Sequence, residues 1–385
     1  MSEKEIQKGV KIPFIKLKKI NSQIFIQFIK DCFEMDTIID RKYKILHDNN
    51  FTLFPLVENE EIISKLIKVI NSLIPFEIIT REGIKNQKYK FKTLNEALIS
   101  KIPHNFQYLI PSGYDIIGNI AILEFKENIT IEKSEFEKYK RMISKAVIQV
   151  NKNVHSVYEK KSEVTGEYRL RQFSYLLGED NSETIHRENN CVFKLDIKKT
   201  YFSPRLVYER RRVSNSNIRE NEVIVDMFSG VGPFSIQIAR MNKVEIHAFD
   251  VNPHAYEYLR KNIDLNKLKG EIFPYNLNII EILNPENKIG ENLKDHVDRV
   301  IMNLPEKSFD FIKVACFLLK KSGGILHIYS IVDKSKSIEK TIELLNKILV
   351  KEWWLINKII NARIVKSYSP KAELVVIDLD IKYLN

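Results

Sequence analysis

The densest chemistry in this sequence is an acid at the end of a strand-like run, a glycine turn, and a second acid one strand later. EVIVDM ends in Asp226 and runs into FSGVGPFSIQIA, so Gly230 and Gly232 sit where a strand hands over to a helix. Glycine there lets the backbone approach a ligand closely, with the first amides of the helix pointing at it. Twenty residues past Gly230, the run VEIHAF ends in Asp250, whose carboxylate can accept from both hydroxyls of a ribose. The spacing suits NAD and S-adenosylmethionine alike, although Ser235 stands where a GxGxxG has its third glycine. Asp226 favours S-adenosylmethionine, because an acid at a strand tip can face an ammonium whereas a pyrophosphate wants neutral amides.

Two further stretches carry reactive groups. VDRVIMNLP drives an apolar run into Asn303 and stops it with Leu304 and Pro305. A carboxamide held stiff by a proline either caps a turn or reads the edge of something planar. YFSPRLVYERRR places Glu209 eight residues after Tyr201 and just ahead of the glycine-turn strand, within reach of the open edge of a sheet. There Glu209 is either a base or one side of a surface ion pair with Arg210 and Arg211. Cys32, Cys191 and Cys316 are far apart and form no CxxC, so neither a zinc site, an iron–sulfur cluster nor a disulfide framework is expected.

The elements that must position these groups fall into three regions. Residues 1–80 open with KGVKIPFIKLKK, where Lys8, Lys11, Lys16, Lys18 and Lys19 cluster, followed by an amphipathic helix from Ser22 to about Phe33 and a strand near FTLFPLV. Residues 81–200 form a middle α+β domain. Ser134 and Glu137 make a capping box that predicts a helix start, and the following 40 or so residues alternate polar and apolar like an antiparallel sheet. Residues 201–385 alternate strands (VIVDM, VEIHAF, GEIFPY, RVIMN, GGILHIY) with helical segments, which predicts a parallel sheet covered on both faces. The last two runs, IINARIVKSY and AELVVIDLDI, read as an antiparallel hairpin added to it. With 385 residues, 44% hydrophobic, the chain can bury two or three cores. Its net charge of +11 favours a polyanionic partner, although an Ile/Lys/Asn-rich proteome would produce the same excess. No leader-like or membrane-spanning run is present, so a cytoplasmic protein without a membrane partner is expected.

DMFSGVGPFSI, FDVNPHAYEYLRKNIDLN and MNLP, in this order, resemble the archaeal and eukaryotic tRNA (guanine-N1)-methyltransferase family acting at position 37. TIHRENNCVFKLDI and YFSPRLVYERRR carry the resemblance upstream, so that it spans residues 150–385. It implies a class I, Rossmann-like methyltransferase domain behind two smaller α+β domains, the first docking on the tRNA body. It implies S-adenosylmethionine as cofactor, tRNA with guanosine at position 37 as partner, no metal, and a monomer. Guanine N1 bears a proton, so the reaction needs a base for it and a positive donor for the charge that moves onto O6. By the family pattern Glu209 is the base, Arg169 in EYRLRQ the O6 donor, and Tyr201 the ring beside the flipped guanine. Asn303 reads the guanine edge with Pro305 behind it, and Asp226, Phe228, Gly230, Gly232, Asp250, Asn276 and Asn303 hold the cofactor. Two positions depart from the pattern: Asn190 stands where a Gly is usual, and Asn276 where an Asp is usual. His186 and Glu188 receive no role, and His247 and His254 are expected to be structural or on the surface. Three alternatives remain: transfer of an aminocarboxypropyl group or methylation of a tricyclic guanosine derivative at the same tRNA position, an RNA-binding module with a vestigial cofactor fold, and an NAD dehydrogenase.

Overall fold

A computed structural model describes residues 10–33, 35–99, 101–126, 131–335 and 338–384, so Lys8 lies outside the described residues. Two compact units divide the chain, Met1–Lys92 and Thr93–Asn385. In the first, β1 (Lys11–Lys18), β2 (Leu46–His47), β3 (Phe51–Pro55) and β4 (Glu77–Glu82) form an antiparallel sheet in the order β2-β3-β1-β4. Helices Ser22–Cys32 and Glu60–Ile70 bury Phe25, Ile29, Leu66 and Ile70 against Ile15, Leu17 and Phe54 of the sheet. Asn59 caps the second helix, its side chain accepting from the amides of Glu61 and Ile62 at 3.1 Å each. The expected boundary near residue 80 falls inside β4, which cannot be separated from this unit because it is laddered to β1 from Lys11↔Glu82 to Lys16↔Glu77.

The second unit begins with a sheet in the order β5-β6-β7-β8: β5 (Asp115–Ile117), β6 (Ile120–Leu123), β7 (Ser156–Lys160) and β8 (Phe173–Gly178). Helix Lys133–Val150 makes the crossover between the parallel pair β6 and β7. The expected capping box is not formed: the N-cap is Glu132, two residues before Ser134, no side chain caps the helix, and Glu137 pairs with Lys140 instead. The hairpin of β9 (Glu183–Glu188) and β10 (Cys191–Asp196) turns through Asn189 and Asn190 at φ +46° and +63°. Asparagine tolerates the left-handed region, so Asn190 does the work of the usual glycine.

The third region is a seven-stranded sheet of β11 (Val223–Asp226), β12 (Glu245–Asp250), β13 (Glu271–Asn276), β14 (Arg299–Met302), β15 (Gly324–Asp333), β16 (Trp354–Ser367) and β17 (Ala372–Tyr383). Its order is β13-β12-β11-β14-β15-β17-β16, with β17 alone running against the other six strands. This is the class I methyltransferase order implied by the resemblance, and each strand matches its expected apolar run. One apolar cluster runs from Ile117, Ile122 and Tyr158 through Phe193 and Phe202 to Val231 and Ile246. The expected boundary at 200/201 therefore marks a change of topology within one shared core.

Helix Val207–Ser214 is anchored to the β9–β10 hairpin by Arg210, whose Nε and Nη2 donate to Glu188 at 2.5 and 2.6 Å while Nη1 donates to the Ser203 carbonyl at 3.1 Å. Arg210 is 1% exposed and Glu188 9%. Arg210→Met, which leaves the buried Glu188 with His186 Nε2 at 3.4 Å in place of a bidentate guanidinium, is expected to lower unfolding free energy by about 3–5 kcal/mol. Urea titration checks this, and adding Glu188→Leu is expected to restore much of the loss because no charge then remains buried.

Candidate active site

A cavity of about 730 Å³ opens where the carboxyl ends of β11, β12, β13 and β14 meet the turn before β8 and the tip of the β16–β17 hairpin. In a doubly wound sheet this is where ligands bind, and the size is ample for a nucleoside cofactor. Phe228, Gly230, Asp250, Asn303, Pro305, Tyr201 and Arg169 all line it, although they come from separate regions of the sequence.

The glycine turn builds one end. Gly230, at φ +55°, donates its amide to Asp250 Oδ2 at 2.7 Å, and Asn252 donates to Oδ1 at 2.8 Å. Burial nevertheless pushes the Asp250 carboxyl up to about 6. Gly232 does not line the cavity. A Cβ at its φ of +87° would come within 2.4 Å of Leu259 Cδ1, so this glycine lets helix Pro253–Leu265 close on the turn.

Asp226 also lies one layer back, with its neighbours Met227 and Phe228 lining the cavity instead. Its Oδ2 accepts from Ser235 Oγ at 2.7 Å, its buried Oδ1 finds no hydrogen-bond partner among the described residues, and burial pushes the carboxyl up to about 7. Asn276 turns its amide to the carbonyls of Asp250 and Val251, at 2.9 and 3.1 Å, and so shapes the loop after β12 without lining the cavity. The apolar wall comes from Val251, Leu277, Ile279 and Ile280, which sequence reasoning passed over; the run LNII after the third strand was the available signal.

At the other end, Asn303 caps nothing: among the described residues its carboxamide makes no hydrogen bond, while the turn is held by Ser308 Oγ on the Leu304 carbonyl (2.8 Å) and Ile331 N on the Pro305 carbonyl (3.0 Å). Arg169 sits in a tight turn closed by Thr165 and Leu170, not in a strand, and holds φ +55°. A non-glycine residue in that region costs about 1–2 kcal/mol. Its guanidinium donates to Glu306 at 2.8 and 3.4 Å, and it and Arg171 lie 5.8 and 5.6 Å from the centre of the Tyr201 ring. Arg171, Arg205 and Lys366 add a basic wall, on which burial beside Arg205 and Arg171 lowers the Lys366 ammonium. Sequence reasoning saw Glu306 only as the residue that follows Asn303-Leu304-Pro305, missed Lys366 and Tyr368, and named neither Arg171 nor Arg205 although both lie in stretches it singled out.

Glu209 does not join this group. It is 1% exposed, does not line the cavity, and accepts from Tyr329 Oη (3.1 Å), Arg212 Nε (3.1 Å) and Arg363. Arg212 is shared with Asp378, which it and His327 hold down at about 2 against the opposing effect of burial. The ion pair expected as the alternative to a base exists, but with Arg212 and Arg363; Arg210 turns to Glu188. His186 accepts from the Gly118 amide at 3.1 Å and His247 stacks on Phe273 and Tyr275, both away from the cavity. Among the described residues no group of three or more His, Cys, Asp or Glu is placed to hold a metal, and no helix is long and apolar enough to cross a membrane.

Two family profiles match the chain: the TRM5/TYW2 methyltransferase domain over residues 184–355 and the TYW2 N-terminal domain over residues 94–181. The tRNA (guanine(37)-N(1))-methyltransferase Trm5b of Pyrococcus abyssi is 35% identical over 349 residues, 90% of this chain and 93% of that protein. A solved complex of aTrm5 and tRNALeu superposes with TM-score 0.71 at 31% identity, covering 97% of this chain and 99% of that one. The Methanocaldococcus jannaschii TYW2 structure in complex with AdoMet gives TM-score 0.53 at 28% identity over 71% of this chain and all of that one.

Proposed function

The chain belongs to the TRM5/TYW2 methyltransferase family, and from that premise we propose that it methylates N1 of guanosine at tRNA position 37 with S-adenosylmethionine. The observation that carries this reading is the convergence of Asn303, Arg169 and Tyr201 on the cavity that also exposes Gly230 and Asp250. When bound, S-adenosylmethionine supplies an electrophilic sulfonium methyl. The orphaned Asp226 Oδ1 behind the glycine turn and the open backbone at Gly230 suit a cationic nucleoside. Asp250 accepts from its ribose, Phe228, Val251, Leu277 and Ile279 enclose it, and Asp226 acts through the turn it braces.

On the substrate side, Tyr201 stacks on the extruded guanine, Asn303 hydrogen-bonds its edge with Pro305 holding the backbone, and Arg169 holds the charge on O6 once N1 loses its proton. For Glu209 to take that proton its buried carboxylate must release Arg363, at 33% exposure the most accessible of its partners, and turn from its place behind the cavity wall toward the base. In the first unit Lys11, Lys18 and Lys19 are exposed while Lys16 is tied to Glu77 at 3.0 Å, and the unit docks on the tRNA body. Deleting residues 1–92, the whole first unit, and finding unchanged tRNA affinity would count against that docking.

Labelled cofactor is to be incubated with two tRNA transcripts, one with G and one with A at position 37. Label in G alone, recovered as 1-methylguanosine, is expected; equal label in both, or none, removes the reading. The match of residues 94–181 to a TYW2 N-terminal domain favours aminocarboxypropyl transfer as the second reading, and the mass of the modified nucleoside separates the two.

Cofactor affinity is expected to depend on pH. Asp226 and Asp250 sit raised at about 7 and about 6, so near neutrality the free protein holds part of their protons. An ammonium and ribose hydroxyls favour the carboxylates, so binding releases protons and affinity rises with pH up to about 7.5, by at most about tenfold per pH unit for each proton released. Calorimetry in buffers of different ionisation enthalpy measures the release; no release between about pH 5.5 and 7.5 would contradict the assignment.

A further inference from the structure

We propose that Tyr208 and Arg363 form an outer subsite for the RNA chain beside the target nucleotide: the ring stacks a neighbouring base, and the guanidinium takes a backbone phosphate and so lets go of Glu209. The inference rests on the guanosine reading above for the identity of the RNA.

The subsite continues the basic wall of the cavity outward. On β16, Arg363 pairs with Val376 of β17 and Lys366 with Leu374, alternate positions that share one face of the sheet. Residues three apart on a regular strand face opposite ways, and the irregularity between Ile364 and Lys366 keeps both cations on the same face. The helical stretch beside them offers Arg205, Tyr208 and Arg211 at i, i+3 spacing. Arg205 and Lys366 line the cavity, and one step outward the Arg363 guanidinium lies 5.2 Å from the centre of the Tyr208 ring. Tyr208 is 64% exposed. Among the described residues neither its hydroxyl nor the exposed Arg211 guanidinium has a hydrogen-bond or ion-pair partner. An open aromatic face backed by arginine is a platform on which any nucleobase stacks.

The pairing of Arg363 shows what RNA would change. Tyr329 and Arg212 both donate to Glu209 Oε2, whereas among the described residues Arg363 alone holds Oε1. The other terminal nitrogen of Arg363 reaches the Ile364 carbonyl at 3.3 Å. A phosphodiester offers the guanidinium two oxygens and an equal charge at the surface, so the exchange leaves no cation unpaired. It frees Oε1 to accept the N1 proton. The base is thus capped in the free protein and uncapped when RNA is in place.

The test measures the affinity of cofactor-bound protein for G37 tRNA across a salt series, together with the single-turnover rate at saturating tRNA. Arg363→Met is expected to weaken binding by about 5- to 20-fold and to lower the log–log salt slope by about one, the loss of one phosphate contact. Its rate at saturation is expected to stay within about 3-fold of wild type, because in the complex Arg363 has already left Glu209. Tyr208→Ala is expected to weaken binding by about 5- to 20-fold with the slope unchanged, and Tyr208→Phe, which keeps the ring, to restore it. A neutral methylphosphonate placed in turn at each phosphate flanking position 37 is expected to cost the wild type affinity at one site and Arg363→Met nothing there. Unchanged affinity and slope in Arg363→Met overturn the proposal. So does a rate more than about 10-fold down at saturation, which would make Arg363 a clamp that positions Glu209. Should Arg363→Met fail to fold, Tyr208→Ala, at an exposed side chain, decides alone by affinity. Failure of N1 methylation itself would show separately, as absence of 1-methylguanosine from wild-type protein on G37 tRNA.

Discussion

Glu209→Gln is expected to slow single-turnover methyl transfer to G37 tRNA by about 100- to 10,000-fold, with the cofactor dissociation constant changed by less than about 3-fold. The separation follows from position, since Glu209 touches none of the groups assigned to the cofactor: its partners are Tyr329, Arg212 and Arg363. Losing its charge also costs the scaffold little. Arg212 keeps Asp378, to which it donates at 2.5 Å, and Arg363 is one-third exposed and can turn to water. A base role has a signature that a scaffold role lacks. Without the carboxylate, the rate is expected to climb with pH as guanine N1 ionises unaided. Turnover within about 3-fold of wild type would strip Glu209 of its role. A loss of activity matched by a loss of several kcal/mol of stability would make it a clamp for two arginines rather than a proton acceptor.

What the sequence made legible, and what it did not, divides by the range of the forces. The five parallel strands and the terminal hairpin announce themselves as apolar runs, because a strand buried on both faces needs one at every position. Asp250 and Gly230 were legible for a similar reason, since strand, turn and next strand lie within 30 residues and the fold permits one geometry. Asp226 and Gly232 belong to the same motif yet serve the turn, and only packing against Ser235 and Leu259 reveals it. Ser134 and Glu137 spell a capping box, but the helix begins two residues too early to use it. The pairing of Glu306 with Arg169 escaped notice because the two lie 137 residues apart and no local pattern encodes it. Glu209 lies 120 and 154 residues from Tyr329 and Arg363, so a stretch that reads as base or surface pair turns out to be sealed inside.

Arg169→Met is expected to lower kcat by about 100- to 1,000-fold and to steepen the rise of the rate with pH. The guanidinium is proposed to stabilise the oxygen that gains charge when N1 is deprotonated, so its loss makes that proton harder to remove. The limb of the rate profile governed by the base then moves upward in pH, while ground-state tRNA affinity, set by phosphate contacts elsewhere, moves far less. Arg169→Lys is the sharper comparison. It keeps the charge but replaces a planar fork by a single ammonium, and Lys at a bidentate site is not conservative. The backbone adds a control: residue 169 holds φ +55° in a turn of its own, so Met, Lys and Arg share the same strain. Stability differences among the three therefore report the side chain alone, and a pH profile identical in all three would show that the charge on O6 is held by another donor.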